Sequence, residues 1–282
     1  MALVYKMRAI AVSDSSYVFW TDSEPDLDGT NAPEPIVADT AIILSVGGTA
    51  EGGGAVASIT PHDTTHSPEV LYNFASGSRF TDSSGNGRDL QASSGTVLYA
   101  NVLGLPMVSC RSGNVYRNTN DAALELTGAV TIEAIVVPPM PYNTSDDMIL
   151  VSFNATGNNI LWDARLEKST GYWTSLTQSS SGTDDKPSTT AAEAGIQHFV
   201  ETRASDGVSV KFYVNGVQVD SVTHDNAPSG PAGQSVRIGS NPINSVRWLG
   251  LIGSVKVIAD ELTASEVAAE YNRTLGPLLG EI

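Results

Sequence analysis

The sequence predicts an all-β chain whose larger part is an antiparallel sandwich, and three observations carry that prediction. Apolar and polar residues alternate over stretches of strand length, two-residue turn signals separate such stretches, and only one segment, near the C-terminus, has helical periodicity. The composition agrees, because 26 glycines and a charged fraction of 16% describe a turn-rich β protein. A chain of 282 residues has room for one large β domain and a small accessory part, since β sandwiches commonly run to about 200–250 residues as one unit.

Residues 1–59 read as a small β-rich part made of short strands. Leu3, Tyr5 and Met7 alternate, residues 17–20 are aromatic-rich and residues 41–46 form an apolar run, while residues 22–35 form an acidic loop carrying prolines. So few short strands bury too little surface to stand alone, so this part is expected to pack on a neighbour such as another subunit. A glycine-rich hinge at 47–54 follows. Residues 60–69, with Pro61 and Pro68, form a linker poor in core-forming side chains. The sandwich is therefore expected over residues 70–282.

Within it the strongest local signal is at residues 208–219. Val208, Val210, Phe212 and Val214 line one strand face, and Asn215-Gly216 supplies the positive φ angles of a two-residue hairpin turn. Asp206-Gly207 offers a similar turn just upstream, so residues 198–204 are expected to pair with 208–214. The helix is expected over residues 263–273, where Thr263 and Glu266 fit a capping box, Leu262 and Val267 a hydrophobic staple, and Val267 and Tyr271 share one face.

Charge excludes some partners. The formal net charge of −16, with only 15 Lys and Arg, disfavours nucleic acid and anionic membrane surfaces, whose binding draws on clustered cations. No apolar run is long enough to span a bilayer, and no secretory signal is seen at the N-terminus. With Cys110 alone, an intrachain disulfide cannot form, so the fold rests on its apolar core.

Four ordered stretches carry a family resemblance. Leu71-Tyr-Asn-Phe is followed by Thr81-Asp-Ser-Ser-Gly-Asn-Gly-Arg-Asp; next comes Leu124-Glu-Leu-Thr-Gly-Ala-Val-Thr-Ile-Glu-Ala-Ile-Val. The third is His198-Phe-Val with Val210-Lys-Phe-Tyr-Val-Asn-Gly-Val. The fourth is Val236-Arg-Ile-Gly-Ser with Leu249-Gly-Leu-Ile-Gly-Ser-Val-Lys-Val and a closing helix ending in Glu270-Tyr-Asn. Together they resemble the laminin-G-like, or concanavalin A-like lectin and glucanase, superfamily over about residues 70–276. The resemblance implies a jelly-roll β-sandwich. It also directs attention to a structural calcium site near Asp82 and Asn86, the alternative being an Asx turn in which Asp82 bonds backbone amides, with no other cofactor required. Two departures are visible. The family's Trp-His-His is Ile196-Gln197-His198 here, and the last-strand acidic residue, which in many relatives helps hold calcium, is replaced by Gly253-Ser254.

Several side chains are candidates for chemistry. Trp162, Tyr172, Trp173 and Trp248 are the natural sugar-stacking rings, with Trp173 first, because a flat ring offers apolar contact while leaving polar edges for hydroxyls; the alternative is that they fill the core, as aromatic residues of a sandwich more often do. His62, Asp63, His66 and Glu69 are the densest set of metal-ligating types, but the flanking prolines disfavour the helix that would align them, and a polar linker explains them better. For hydrolysis of a glycosidic bond, two carboxylates must flank the sugar. No strand reads that way: Glu125 and Glu133 fall in separate elements and Asp146-Asp147 in a loop. Asn143, Asn154 and Asn272 fit a glycosylation pattern that chance accounts for.

The expected function is non-enzymatic. Modules of this family usually work outside cells, whereas the sequence shows no export signal; a bacteriophage virion surface protein, assembled in a host cytoplasm and exposed on release, reconciles the two. On that expectation residues 1–59 anchor an oligomeric capsid decoration protein, head fibre or tail accessory to virion proteins, and the sandwich faces outward and binds glycans. The alternative is a free extracellular carbohydrate-binding or adhesion module, and a glycoside hydrolase comes third.

Overall fold

A computed structural model describes residues 6–12, 16–22, 66–74, 80–92, 98–110, 116–117, 121, 124–139, 146–154, 160–229, 235–240 and 247–279. The proline-bearing loop beyond residue 22, the apolar run at 41–46, the hinge, and His62 and Asp63 lie outside them. The N-terminal strands β1 (Lys6–Val12) and β2 (Ser16–Asp22) pair antiparallel, from Lys6 opposite Asp22 to Val12 opposite Ser16, as a two-stranded sheet of their own.

Among the described residues, fifteen further strands build two antiparallel sheets. They are β3 (Val70–Tyr72), β4 (Gln91–Ala92), β5 (Leu98–Val102), β6 (Leu105–Ser109), β7 (Tyr116–Arg117), β8 (Val130–Val137), β9 (Met148–Asn154), β10 (Ile160–Leu166) and β11 (Tyr172–Ser179), then β12 (Gly182–Ala191), β13 (Gln197–Arg203), β14 (Ser209–Val214), β15 (Val217–Thr223), β16 (Ser235–Ile238) and β17 (Leu251–Ile258). One sheet runs β12-β11-β10-β9-β16-β7-β4. The other runs β15-β14-β13-β8-β17-β6-β5, with β3 also on β17. Neighbours that are far apart in sequence, such as β8 with β17 and β9 with β16, give the crossed connections of a jelly roll.

The local signals explain the hairpins. Asn215 (φ 49°) and Gly216 (φ 78°) both take the left-handed conformation, joining β14 to β15. Asp206 accepts from the backbone amides of Val208 and Ser209, and β13 pairs β14 from Phe199 opposite Val214 to Arg203 opposite Val210. Gly207 is fixed twice over. Its φ is +74°, and an added Cβ would lie 2.7 Å from the Thr127 carbonyl oxygen.

The two sheets face each other across one apolar core. Trp173 of β11 stacks on Phe199 of β13 at 3.8 Å, and Phe153 on Trp162 at 4.7 Å. Leu150, Val151, Leu166, Val210, Val255 and Val257 belong to the same buried cluster. The outer side of the eight-stranded sheet is covered by α1 (Ala264–Thr274), followed by α2 (Gly276–Leu279). Thr263 caps α1 with the reciprocal Glu266 contact, and Leu262 and Val267 pack on Val200, Tyr213 and Ile258. Beneath the helix, Lys256 Nζ lies 2.6 Å from Glu133 Oε2 and 3.1 Å from Glu270 Oε2, and His198 Nε2 lies 3.1 Å from Glu133 Oε1. All four side chains are buried, and the ion pairs of Lys256 with Glu133 and Glu270 hold α1 in place instead of facing solvent.

Candidate functional site

With α1 over one sheet, the outer side of the seven-stranded sheet is the face with no helix across it among the described residues. Registers identify its side chains, because residues paired across a ladder share a face. Trp162, Ala164 and Leu166 point into the core, so Asp163 and Arg165 point out. Asp163 pairs with Leu176 on β11 and Ser152 on β9; Ser152 pairs with Arg237 on β16, and Asn154 with Ser235. Asp185 of β12, opposite Leu176, continues the row.

This outward face is polar yet buried. Asp163 is wholly buried, and Ser152, Asn154, Arg165, Thr174, Ser235 and Arg237 are buried as well. The Arg165 guanidinium holds Asp163 in two contacts of 2.6 Å, from Nε to Oδ1 and from Nη2 to Oδ2. Its Nη1 reaches Asp147 at 3.1 Å and Asp185 at 3.5 Å. Burial raises the Asp163 pKa, and Arg165 only partly opposes that shift; Asp185 is raised for the same reason. Beside them Ser152 Oγ donates to the Ser240 carbonyl at 3.0 Å, whereas the Asn154 Nδ2 and Ser240 Oγ atoms are buried with no partner among the described residues. A row of carboxylates, guanidinium, amide and hydroxyls offers both donors and acceptors, the inventory that polyol hydroxyls need.

Three of the four expected stacking rings are elsewhere. Trp162, Trp173 and Trp248 have no exposed surface, and Trp173 is sandwiched by Phe199 and, at 6.1 Å, Trp248. They are core residues, which corrects their reading as sugar platforms: the large rings fill the inter-sheet space where burial returns most free energy. Arg203 caps Trp162 from inside, its guanidinium carbon 4.5 Å from the ring centre. Tyr172 differs. It is half-buried at the start of β11, and strand alternation from Trp173 puts it on the outward side with Thr174.

The model of the concanavalin A-like lectin/glucanase superfamily matches residues 111–268, more than half of the chain. The chain belongs to that superfamily. Comparison with curated proteins finds no match. Among solved structures, domain 4 of AbnA, an extracellular arabinanase from Geobacillus stearothermophilus in complex with arabinotriose, is similar at a TM-score of 0.58 and 20% identity, covering 73% of this chain and 98% of that domain. The binding domain of botulinum neurotoxin DC, in complex with rat synaptotagmin II, gives 0.57 at 10% identity; in complex with SialylT it gives 0.54 at 12%. Each neurotoxin match covers 73% of this chain and 51% of the neurotoxin domain, so only about half of that domain is shared. At such identities the likeness shows the fold.

Family resemblance directs calcium to the Asp82 turn, and the donor set there does not fit it. Asp82 Oδ1 accepts from the Leu71 and Ser84 amides, both at 3.0 Å, and Oδ2 from Ser84 Oγ at 2.7 Å and the Arg88 amide at 3.0 Å. Four donors occupy the lone pairs that a cation would need. Asn86 turns its Nδ2 donor to the Pro68 and Glu69 carbonyls, both at 3.1 Å. The positive charge at this turn is Arg88, whose Nη1 contacts the Glu69 carboxylate at 2.9 Å and whose Nε contacts Asp121 at 2.5 Å. Among the described residues no cluster of three His, Cys, Asp or Glu side chains could hold a metal. His66, from the linker, contacts Glu266 at 3.0 Å and Asp260 at 3.5 Å and so ties the linker to α1.

Sequence reasoning missed Asp163, Arg165, Asn154 and Arg237. The signal was present in Trp162-Asp-Ala-Arg-Leu166, whose alternation separates two charged side chains from three apolar ones. Asn154, read as a chance glycosylation match, is 3% exposed on the sheet face.

Proposed function

We propose that this protein is a non-enzymatic carbohydrate-binding module whose ligand lies across the outer face of β9, β10, β11 and β16. The observation that carries the reading is a row of buried hydrogen-bonding groups, Asp163, Arg165, Asn154 and Arg237, on the sheet face opposite the one α1 covers. Buried polar groups cost free energy unless paired, so the partnerless Asn154 Nδ2 favours a ligand that accepts its hydrogen bonds. Tyr172, on the same side, supplies the ring for stacking. The arabinotriose-bound domain and the SialylT-bound neurotoxin domain support saccharides as the ligand class.

A finer reading places the module on a bacteriophage virion surface, assembled in the host cytoplasm, with residues 1–59 docked on capsid or tail proteins and the chain homo-oligomeric. Its support is the pairing of β1 and β2 outside both sheets of the sandwich, together with a charge balance that disfavours nucleic acid. An oligosaccharide array with the wild type, Asn154→Ala and Tyr172→Ala tests the binding reading. Saturable binding by the wild type, weakened about tenfold or more in either variant as for a lost buried hydrogen bond or stacked ring, is expected. No retained oligosaccharide, or equal retention by all three proteins, contradicts it. Deleting residues 1–68 tests the anchor: loss of attachment to particles is expected, and unchanged attachment refutes it.

A further inference from the structure

The chain Glu201–Ser175–His224–Asp184 crosses between the two sheets three times. Glu201 lies on β13 and its Oε1 is 2.8 Å from the Oγ of Ser175 on β11. That Oγ is 3.1 Å from Nε2 of His224, which follows β15, and His224 Nδ1 is 3.2 Å from Oδ2 of Asp184 on β12. Glu201, Ser175 and His224 are each 2% exposed or less, while Asp184 reaches the surface beside Lys186. β12 and β15 are the edge strands of their sheets, so this chain stitches that edge shut. We propose that these four side chains form a proton-holding latch that closes the β12–β15 edge and opens in base.

Counting hydrogens supports it. Asp184 Oδ2 already accepts from the Asp225 amide at 2.7 Å and its Oδ1 faces Lys186 at 3.1 Å, so Asp184 is an acceptor and His224 Nδ1 carries a hydrogen. Ser175 has one hydrogen and two neighbours in the chain. One more proton must therefore sit on His224 Nε2 or on the Glu201 carboxyl; with it every contact has a donor, and without it one contact fails.

The surroundings decide where that proton stays. Glu201 Oε2 is buried with no partner among the described residues; Arg203, two residues along β13, donates from Nε and Nη2 to the Gly128 and Leu126 carbonyls, and its charge offsets only part of the burial shift of Glu201. The remaining charged groups near the chain are Asp163 through β10, Lys186 on β12 and Asp225 after β15. A carboxylate at Glu201 would be left dry and undercompensated, so the neutral acid donates to Ser175, and Ser175 to His224. Burial pushes the Glu201 carboxyl up to about 8 and holds His224 below the ordinary imidazole value, both in the direction this arrangement requires. Ionising Glu201 removes the donor, draws water to the carboxylate and unfastens the edge. Asp185, next to Asp184 but on the outward side, moves with β12.

Amide exchange of residues 182–191 and 217–224, corrected for the intrinsic pH dependence of the chemistry, tests the latch. Because opening rises up to tenfold per pH unit above the folded pKa, roughly tenfold more opening is expected at about pH 9 than at about pH 7. In Glu201→Gln, whose amide donates to Ser175 in the same direction, the opening should stay flat. The carboxyl carbon signal of Glu201 in the wild type is the second readout, and it should titrate between about pH 7 and 9. A carboxyl titrating near its ordinary value, or equal pH slopes in the wild type and Glu201→Gln, overturns the proposal. Should the variant fail to fold, the wild-type titration alone decides.

Discussion

Replacing Trp173 by alanine separates a core ring from a sugar platform. The indole is fully buried between Phe199 at 3.8 Å and Trp248 at 6.1 Å. Burying an aromatic side chain removes about 150–250 Å² from water, which at about 25 cal/mol per Å² is roughly 4–6 kcal/mol. Measured truncations of buried aromatics cost about 3–5 kcal/mol, since some of the cavity relaxes. For a domain of this size 1 kcal/mol moves Tm by about 2–4 °C, so Trp173→Ala should melt roughly 8–16 °C below the wild type if it loses about 4 kcal/mol. Urea unfolding followed by fluorescence and circular dichroism gives the free energy directly. Tyr172→Ala, which removes a half-exposed ring, should lose no more than about 1 kcal/mol, within the range for substitutions away from a packed core. If Trp173→Ala keeps its stability and loses only saccharide binding, the packing argument is refuted.

Other outcomes follow from the charged groups. The folded state keeps a proton on Glu201 up to about pH 8, whereas the unfolded chain releases it near 4.5; stability should therefore fall as pH rises between those values, by at most about 5 kcal/mol at about 1.4 kcal/mol per pKa unit, and Glu201→Gln should flatten the profile. Lys256→Met leaves Glu133 and Glu270 buried without their shared cation, and urea denaturation should record a loss of about 3–5 kcal/mol. Calcium and a chelator should give the same melting temperature, since four donors fill Asp82, whereas Arg88→Ala, which removes a cation from the partly exposed Glu69 and Asp121 carboxylates, should lose about 1–2 kcal/mol.

The parts legible in the sequence are those set by local chemistry. Asn215-Gly216 and Asp206-Gly207 dictate turns whatever surrounds them, and the Thr263–Glu266 capping box marks where α1 begins. Strands as short as β4 and β7, two residues each, have no periodicity to read: β7 is held by the longer β16, and β4 in turn by β7. The aromatic residues were legible as strand residues but not as inward ones. β9, β10 and β13 are buried on both faces, so alternation alone leaves open which set faces the core. The latch was beyond reach: its successive members are 26, 49 and 40 residues apart, and only the crossed topology brings them together.

The most direct test of a saccharide-binding sheet face is amide and side-chain chemical-shift mapping during titration with arabinotriose and, separately, a sialylated oligosaccharide. A saturable response concentrated on Ser152, Asn154, Tyr172, Thr174 and Arg237 is predicted, with the indole signals of Trp173 and Trp248 shifting little. Shifts confined to the α1 side of the molecule, or none with about 1 mM of either saccharide, the regime of weak recognition, would contradict the account.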